Sequence, residues 1–519
     1  MTHRAGEVGP PAAVPSSPLP VPFGLSPLAP PSMISPFATI ASTSTPGADR
    51  PLPSAGGRLA LEATGRAYLV GIGGSGMSGA AELLRARGYA VRGSDRSASP
   101  RTSRLAGLGI GVDVGDDAAP LPADTTLVVA TAAAAANHPQ LVEARRRGLP
   151  VWKYADCVGA LMAGRLGIAV AGCHGKTTTS SLLATTLWRA GRDPSFVIGG
   201  EVRDLGASAR AGGGAHFVVE ACEYDRSFHR LAPTIGLVTN VDADHLDYYR
   251  DLDEIREAFR DFARLLPAHG VLVVHEDHAD VFRGDRRLLA RLETYGPSEG
   301  ADWRYEDAGY DVAAGRLRFR LRHGGTVVAS PTLRLTGLHN VANATGAAAA
   351  LVAAGCTADE VTAGFAAFGG VGRRLETVAE ARGVLVLDDY GHHPAEIAAT
   401  VRGLRARFPG RRLVVVFQPH QASRTRLLLD DFAAALALAD VALLAPIYAA
   451  RDSEEDRRAV SSGDVAARVE ARGGHATALE SLAAVEAHAA SIARPGDVVV
   501  TMGAGDVDEV ARGLGRRLR

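Results

Sequence analysis

The sequence predicts an α/β protein of three domains: a Rossmann-like N-terminal domain, a central domain of P-loop type, and a C-terminal doubly wound α/β domain. Three observations predict it. Two glycine-rich loops, at residues 71–76 and 172–177, each follow an apolar strand-like run and precede a helix-like one. Residues 368–519 then alternate apolar strands with helical segments, the pattern of a parallel sheet covered on both faces.

At 519 residues the chain exceeds one ordinary core, and at roughly 150 residues per domain it has room for three. Apolar content of 46% and charged content of 22% fit a globular protein. A net charge of −1 gives no global basic field, so nucleic acid is not an expected partner. The four cysteines (Cys157, Cys173, Cys222, Cys356) show neither pairing motifs nor clustering, which argues against a disulfide framework or a structural zinc site and for a reducing cytosol. No apolar run is long enough to predict membrane insertion, and the basic-then-apolar layout of a secretory signal is missing. Composition leaves the oligomeric state open.

Residues 1–60 are rich in Pro, Ser, Ala and Gly and are expected to be a disordered tail. From Arg66 a strand (AYLV) leads into Gly71-Ile72-Gly73-Gly74-Ser75-Gly76, then a helix through Gly79 to Arg87, then a strand (YAVRGSD) carrying Asp95. That is the dinucleotide-binding fingerprint in its setting: glycines let the backbone approach a diphosphate, and an acid about 20 residues on reaches a ribose. It reports a diphosphate at a helix N-terminus, from NAD or another nucleotide. The strand TLVVAT (126–131) continues the unit, which is expected to end near Gly164.

The stretch LGIAVAGCHGKTTTSSLLATTLWRAG opens the central region, 165–367. A strand ends at Ala171, Gly172-Cys173-His174-Gly175-Lys176-Thr177 forms a tight loop, and a helix is expected over Thr178–Trp188. Inward-turned N–H groups, the helix terminus, the Lys176 ammonium and the Thr177 hydroxyl together make a cradle for phosphate and Mg²⁺. Val170 stands where the strict pattern has its first glycine, so the loop is a shortened relative. The chain has only two lysines, Lys153 and Lys176, and one of them sits here. Two later strands end in acids: HFVVEACEYD with Glu220, Glu223 and Asp225, and TIGLVTNVDADHLDYY with Asn240, Asp242, Asp244, His245 and Asp247. Beside a phosphate loop these are candidate metal ligands, and a solvated acidic loop is the plainer alternative. Asn340 and Asn343, three apart near the start of an Ala-rich helix, share a face and are candidates for ligand contact or for capping.

In the region 368–519, helices are expected over Pro394–Arg407 and after Arg424, and strand ends carry Asp388-Asp389-Tyr390-Gly391-His392-His393 and Gln418-Pro419-His420, followed by Arg424. His, Asp and Arg at two strand termini indicate a site facing a cleft, and packed histidines beside a Pro-led helix are the alternative.

Taken in series, AGCHGKTTTSS, GLHNVANA with GRRLE, and DDYGHHP with FQPH resemble the Mur ligase family of ATP-dependent amide-bond synthetases, over residue 66 to the C-terminus. The first loop GIGGSGMSG together with DDYGHHP most resembles the members that join L-alanine to UDP-N-acetylmuramate. The resemblance implies a UDP-sugar domain at 66–164, an ATP domain at 165–367 and an amino-acid domain at 368–519. The diphosphate of the UDP-sugar would lie at Gly73, Gly74, Ser75 and Gly76, with Asp95 beside it. ATP would contact Gly172, Cys173, His174, Gly175, Lys176, Thr177, Thr178, Asn340, Asn343, Arg374 and Asp389, the last at its ribose. Thr177 and Glu220 would hold one Mg²⁺ and His245 a second. Tyr390, His392, His420 and Arg424 would line the amino-acid pocket, with His392 or His420 as acceptor of the ammonium proton. Lys176, His245, Arg374 and His392 are thus the implied catalytic set. A ligase of the same family that attaches a whole stem peptide, and a non-catalytic UDP-sugar or nucleotide sensor, are the alternatives. Where the family often has Thr this loop has Cys173, EADESD is replaced by EACEYDRS, Gln421 stands in place of Arg after FQPH, and ATAAAAANHP lacks the family's serines.

Overall fold

Strand Arg66–Val70 is the middle of a five-stranded parallel sheet in the order Gly111–Val114, Ala90–Asp95, Arg66–Val70, Leu127–Ala130, Val151–Lys153. The order reverses beside the central strand, so the first glycine loop opens at the switch point, where such sheets take ligands. The computed structural model describes residues 59–115, 119–246, 248–449 and 452–519. All but the last two residues of the expected tail, and Asp247, lie outside the described residues.

The second sheet has the strand Leu166–Ala171 between two parallel neighbours, His216–Glu220 and Ile235–Val238. In this register Val170 faces Glu220 and Ala171 faces Val238. Parallel pairing therefore brings the phosphate loop, Glu220 and the segment after Val238 out at one edge. The helix following the loop runs Lys176–Arg189, starting two residues earlier than the sequence pattern suggests, and is buried from Thr177 to Leu187 between the sheet and the helices His339–Ala353 and Ala358–Ala367. Beyond Val271–His275 and Arg291–Gly296 the sheet continues into antiparallel strands, Trp303–Asp311, Arg316–His323 and Thr326–Ala329. The α/β reading did not include them. Their signal was present: RLRFRLRH alternates with a period of two, and Leu317, Phe319 and Leu321 are the buried face.

In the third sheet Val384–Asp389, Val498–Met502, Leu413–Phe417, Val441–Leu444 and Ala476–Ala478 are parallel, with Glu376–Ala381 antiparallel at one edge. Apolar residues from both faces of this sheet form two separate cores. The expected helix over Pro394–Arg407 forms with those ends. Proline fixes its first turn, and Glu396 closes a capping box on the backbone of His393. The helix expected after Arg424 instead begins at Ala422, so Arg424 lies within its first turn. The α/β class and the three sheets agree with the sequence reading.

Candidate active site

Gly172 and Gly175 shape the second loop. Both have positive φ (132° and 81°), and a Cβ would meet Thr239 Oγ1 at 2.0 Å in the first case and Asn343 Oδ1 at 2.5 Å in the second. Gly175 is also the N-cap of the Lys176 helix and offers no side-chain acceptor, which leaves the first N–H groups directed into the loop. Asn240 clamps the loop from the next strand: His174 N donates to its Oδ1 (2.9 Å) and its Nδ2 donates to His174 O (3.0 Å). Cys173 exchanges hydrogen bonds with the backbone of Asp242, at 3.2 and 3.3 Å. Thr178 lines the cleft beside Thr177.

Lys176 Nζ donates to both carboxylate oxygens of Glu223, at 3.0 and 3.1 Å, and to the carbonyl of Cys173. Burial alone would pull the ammonium's pKa down, but Glu223 outweighs it and holds it above its ordinary value. Burial pushes Glu223 the other way, and Lys176 with His245 keeps it below the usual carboxylate range. The pair is therefore charged, with Glu223 a resting counter-ion where phosphate would bind. His245 Nε2 lies 3.6 Å from the same carboxylate. His245, Asp225 and Arg226 all have left-handed backbone, φ 51–54°, strain of about 1–2 kcal/mol per residue held near the Lys176–Glu223 pair. Asp225 also pairs with Lys153 of the first domain at 2.7 Å.

Thr177 Oγ1 donates to Glu220 Oε1 at 3.1 Å, and Gly199 N donates to Glu220 Oε2 at 2.7 Å. A hydroxyl and a carboxylate side by side suit a hard cation such as Mg²⁺, which takes its remaining ligands from phosphate and water. Among the described residues no group of three or more His, Cys, Asp or Glu side chains forms a metal cage.

A cleft of about 350 Å³ runs from His174, Gly175, Thr177 and Thr178 past Asn340 and Asn343 to Arg374, Asp389 and Glu396. Neither asparagine caps its helix, whose N-cap is Leu338. Asn343 Nδ2 donates to Asn340 Oδ1 (3.1 Å), and Asn340 Nδ2 to Thr336 O (2.8 Å), which fixes both amides on the cleft wall. Asp389 accepts from the N–H groups of Leu375 and Gly391. Arg374 lies over the Tyr390 ring at 5.3 Å and 3.7 Å from Glu396.

Glu396 is a residue the sequence reading missed. Its carboxylate accepts from the backbone of His392 and His393 and lies 3.5 Å from His392 Nδ1 and 3.6 Å from His174 Nδ1, bridging the C-terminal domain to the phosphate loop. Burial opposes its ionisation, but the hydrogen bond to His174 and the nearby Arg374 guanidinium hold it well below the usual carboxylate range. Its sequence signal was the capping-box spacing from His393.

On the far side of Glu396, His392 faces His420 (ring centroids 5.9 Å), and His420 stacks on Tyr448. Burial pushes His392 down to about 4, so it is neutral at pH 7, an acceptor for a hydrogen bond but a weak base. Arg424 and Asp244, from different domains, pair at 3.0 Å. Gln421 is buried with φ +72° at the turn into the Arg424 helix, where its N–H donates to Tyr448 O.

In the first domain Gly74 is the N-cap of helix Ser75–Ala86, again without a side-chain acceptor. Asp95 Oδ2 accepts from Gly73 N at 2.8 Å and so braces the loop itself. Gly76 lies against Tyr154, where a Cβ would be 2.6 Å from the ring. Ser75 receives the hydroxyl of Ser78 on its carbonyl. Both glycine loops therefore end in helix termini open to an anion.

The profile described as Mur ligase family, catalytic domain, matches residues 66–166; that of the Mur ligase middle domain matches 170–351, and that of the Mur ligase glutamate ligase domain 373–505. The chain is 41% identical over 453 residues to the UDP-N-acetylmuramate–L-alanine ligase of Geotalea uraniireducens, covering 87% of this chain and 98% of that one. It is 43% identical over 450 residues to the enzyme of that name from Acidothermus cellulolyticus, covering 86% and 93%. Among solved structures it is similar to the UDP-N-acetylmuramate-alanine ligase of Thermotoga maritima, with TM-score 0.70, 26% identity, and coverage of 87% of this chain and 98% of that one. It shares its fold with a murein peptide ligase from Psychrobacter arcticus, with TM-score 0.62, 24% identity and coverage of 87% and 98%. With two phosphate-type loops, a cleft shared between domains and relatives matched over nearly their whole length, the chain belongs to the Mur ligase family.

Proposed function

We propose that this protein is an ATP-dependent ligase that joins L-alanine to UDP-N-acetylmuramate in peptidoglycan precursor synthesis, in the cytoplasm. The observation that carries this reading is one continuous cleft, from the Lys176 loop through Asn340, Asn343, Arg374 and Asp389, with His392 and the Arg424–Asp244 pair beyond Glu396. In this reading residues 66–164 hold the UDP-sugar, 165–367 the ATP and 368–519 the amino acid.

A carboxylate and an amine do not condense in water without a leaving group on the acid. The muramoyl carboxylate oxygen attacks the γ-phosphorus of ATP, ADP leaves, and an acyl phosphate forms. Lys176 exchanges Glu223 for the β- and γ-phosphate oxygens, and Arg374 exchanges Glu396 for the transferring group, so charge is met where it develops. Mg²⁺ held by Thr177 and Glu220, with a second ion near His245, would add to that neutralisation. The alanine ammonium gives a proton to solvent water, its nitrogen attacks the acyl carbon, and the tetrahedral intermediate expels phosphate. His392, neutral and beside Asp244 and Arg424, orients the amine by accepting its hydrogen bond.

Phosphate release from ATP, measured with UDP-N-acetylmuramate and with L-alanine, L-serine, glycine or a stem tripeptide in turn, tests the reading. Release that depends on free L-alanine supports it. Release only with the tripeptide makes the protein a peptide ligase, and no release with any acceptor removes the enzymatic reading.

A further inference from the structure

Arg424 and Asp244 approach from different domains, Nη2 to Oδ1 at 3.0 Å, with side chains only 10% and 8% exposed. A buried ion pair returns little net stability, because both groups lose their hydration. Its position, at the join of two domains and near His392, is therefore better explained by a role in binding. Asp244 is fixed by the N–H of His245, which donates to its Oδ1 at 2.7 Å, and its other oxygen is 3.9 Å from the His245 ring. His392 is near both members of the pair, and burial keeps that imidazole neutral, so it adds no cation to compete for the carboxylate.

We infer that Asp244 and Arg424 form a paired receptor for the zwitterion of the incoming α-amino acid, Arg424 taking its carboxylate and Asp244 its ammonium. This rests on the ligase reading and adds a binding residue, Asp244, to it. The pair is neutral overall, as the zwitterion is, so one internal contact is exchanged for two external ones without stranding a charge. Arg424 alone would accept any carboxylate, including that of the sugar acid. With Asp244 already on it, the guanidinium is open only to a ligand that brings a cation for Asp244. Because Asp244 adjoins His245, the ammonium is delivered beside the phosphoryl-transfer centre.

The test compares L-alanine with hydroxylamine, an uncharged nucleophile at neutral pH that carries no carboxylate and traps the acyl phosphate as a hydroxamate. In the full-length enzyme with ATP and UDP-N-acetylmuramate, Asp244→Asn is expected to raise the KM for L-alanine at least ~30-fold, the worth of one charge-assisted hydrogen bond. Hydroxamate formation and the KM for ATP are expected to move by far smaller factors, and Asp244→Glu to recover part of the L-alanine KM. Since Asp244→Asn leaves a buried guanidinium unpaired, the double variant Asp244→Asn, Arg424→Gln serves where the single one is unstable, and it is expected to show a higher L-alanine KM than Arg424→Gln alone, with hydroxamate formation equal in the two. An unchanged L-alanine KM, or equal losses with L-alanine and hydroxylamine, would overturn the proposal while leaving the ligase reading standing. Wild-type enzyme that forms neither product nor hydroxamate would sink both.

Discussion

Lys176 spends the resting state on Glu223, and that fact separates two consequences of removing it. Lys176→Ala is expected to lower alanine-dependent phosphate release at least ~100-fold, because transition-state charge loses its closest cation. It also strands a buried carboxylate, at a cost of about 3–5 kcal/mol. Adding Glu223→Gln removes the stranded charge, so the double variant should regain most of the lost melting temperature and none of the activity. Recovery of activity would show that Lys176 matters only for folding. His392 gives a second test at this scale. Burial holds it at about 4 against an ordinary 6.5, so between those values the unfolded chain binds a proton that the folded protein refuses. Stability from this residue is level above pH 6.5 and falls as the pH drops toward 4, by on the order of 3 kcal/mol in all. Denaturant unfolding at pH 7, 6 and 5 should therefore show a shallower decline in His392→Gln than in wild type; an equal or steeper decline would contradict the assignment. The loop residues were legible because their chemistry is written in consecutive positions. Glu396 and Asp244 were not read as pocket residues, since their partners His174 and Arg424 are supplied by another domain.

At the scale of elements, the sequence was clearest where local chemistry and tertiary contact agree. Helix Pro394–Arg407 has proline in its first turn, a capping box and basic residues in its last turn, and both its ends match expectation. The run HFVVEACEYD was harder, because the strand stops at Glu220 and the chain then turns through left-handed Asp225 and Arg226, a conformation that Arg rarely adopts. Gly175 shows how tightly one element is fitted to another. Alanine there would meet both a φ of +81° and the Asn343 amide at 2.5 Å, so Gly175→Ala is expected to lose about 1–2 kcal/mol from the backbone alone. Pushing Asn343 aside also disturbs its bond to Asn340, so the KM for ATP should rise together with the fall in thermal stability. A variant with normal melting and normal KM would mean that the loop and the asparagine helix are not held as tightly as their contacts indicate.

Across the whole molecule, the C-terminal domain rests on the central one through polar contacts: Arg424 on Asp244, Glu396 on His174, Arg203 on Glu376 at 2.8 Å, and Arg407 on Thr336 at 3.0 Å. Two of these contacts, at Glu396 and Asp244, occupy positions that substrates are proposed to take. Binding therefore exchanges protein–protein contacts for protein–ligand ones, and such an arrangement opens to admit ligand and closes again over it. The cleft of about 350 Å³ is at the small end for a ligand pocket, which favours entry through an opened form. Arg374 is placed to couple the two states, since it lines the cleft 3.7 Å from Glu396 of its own domain, and Glu396 in turn meets His174 of the central domain. Small-angle scattering should show a smaller radius of gyration with a non-hydrolysable ATP analogue and UDP-N-acetylmuramate together than with neither. In Arg374→Ala the contraction should shrink or vanish, with a higher KM for ATP. Equal radii with and without ligands in wild type would mean that the domains hold one fixed placement and that Arg374 acts only as a local phosphate contact.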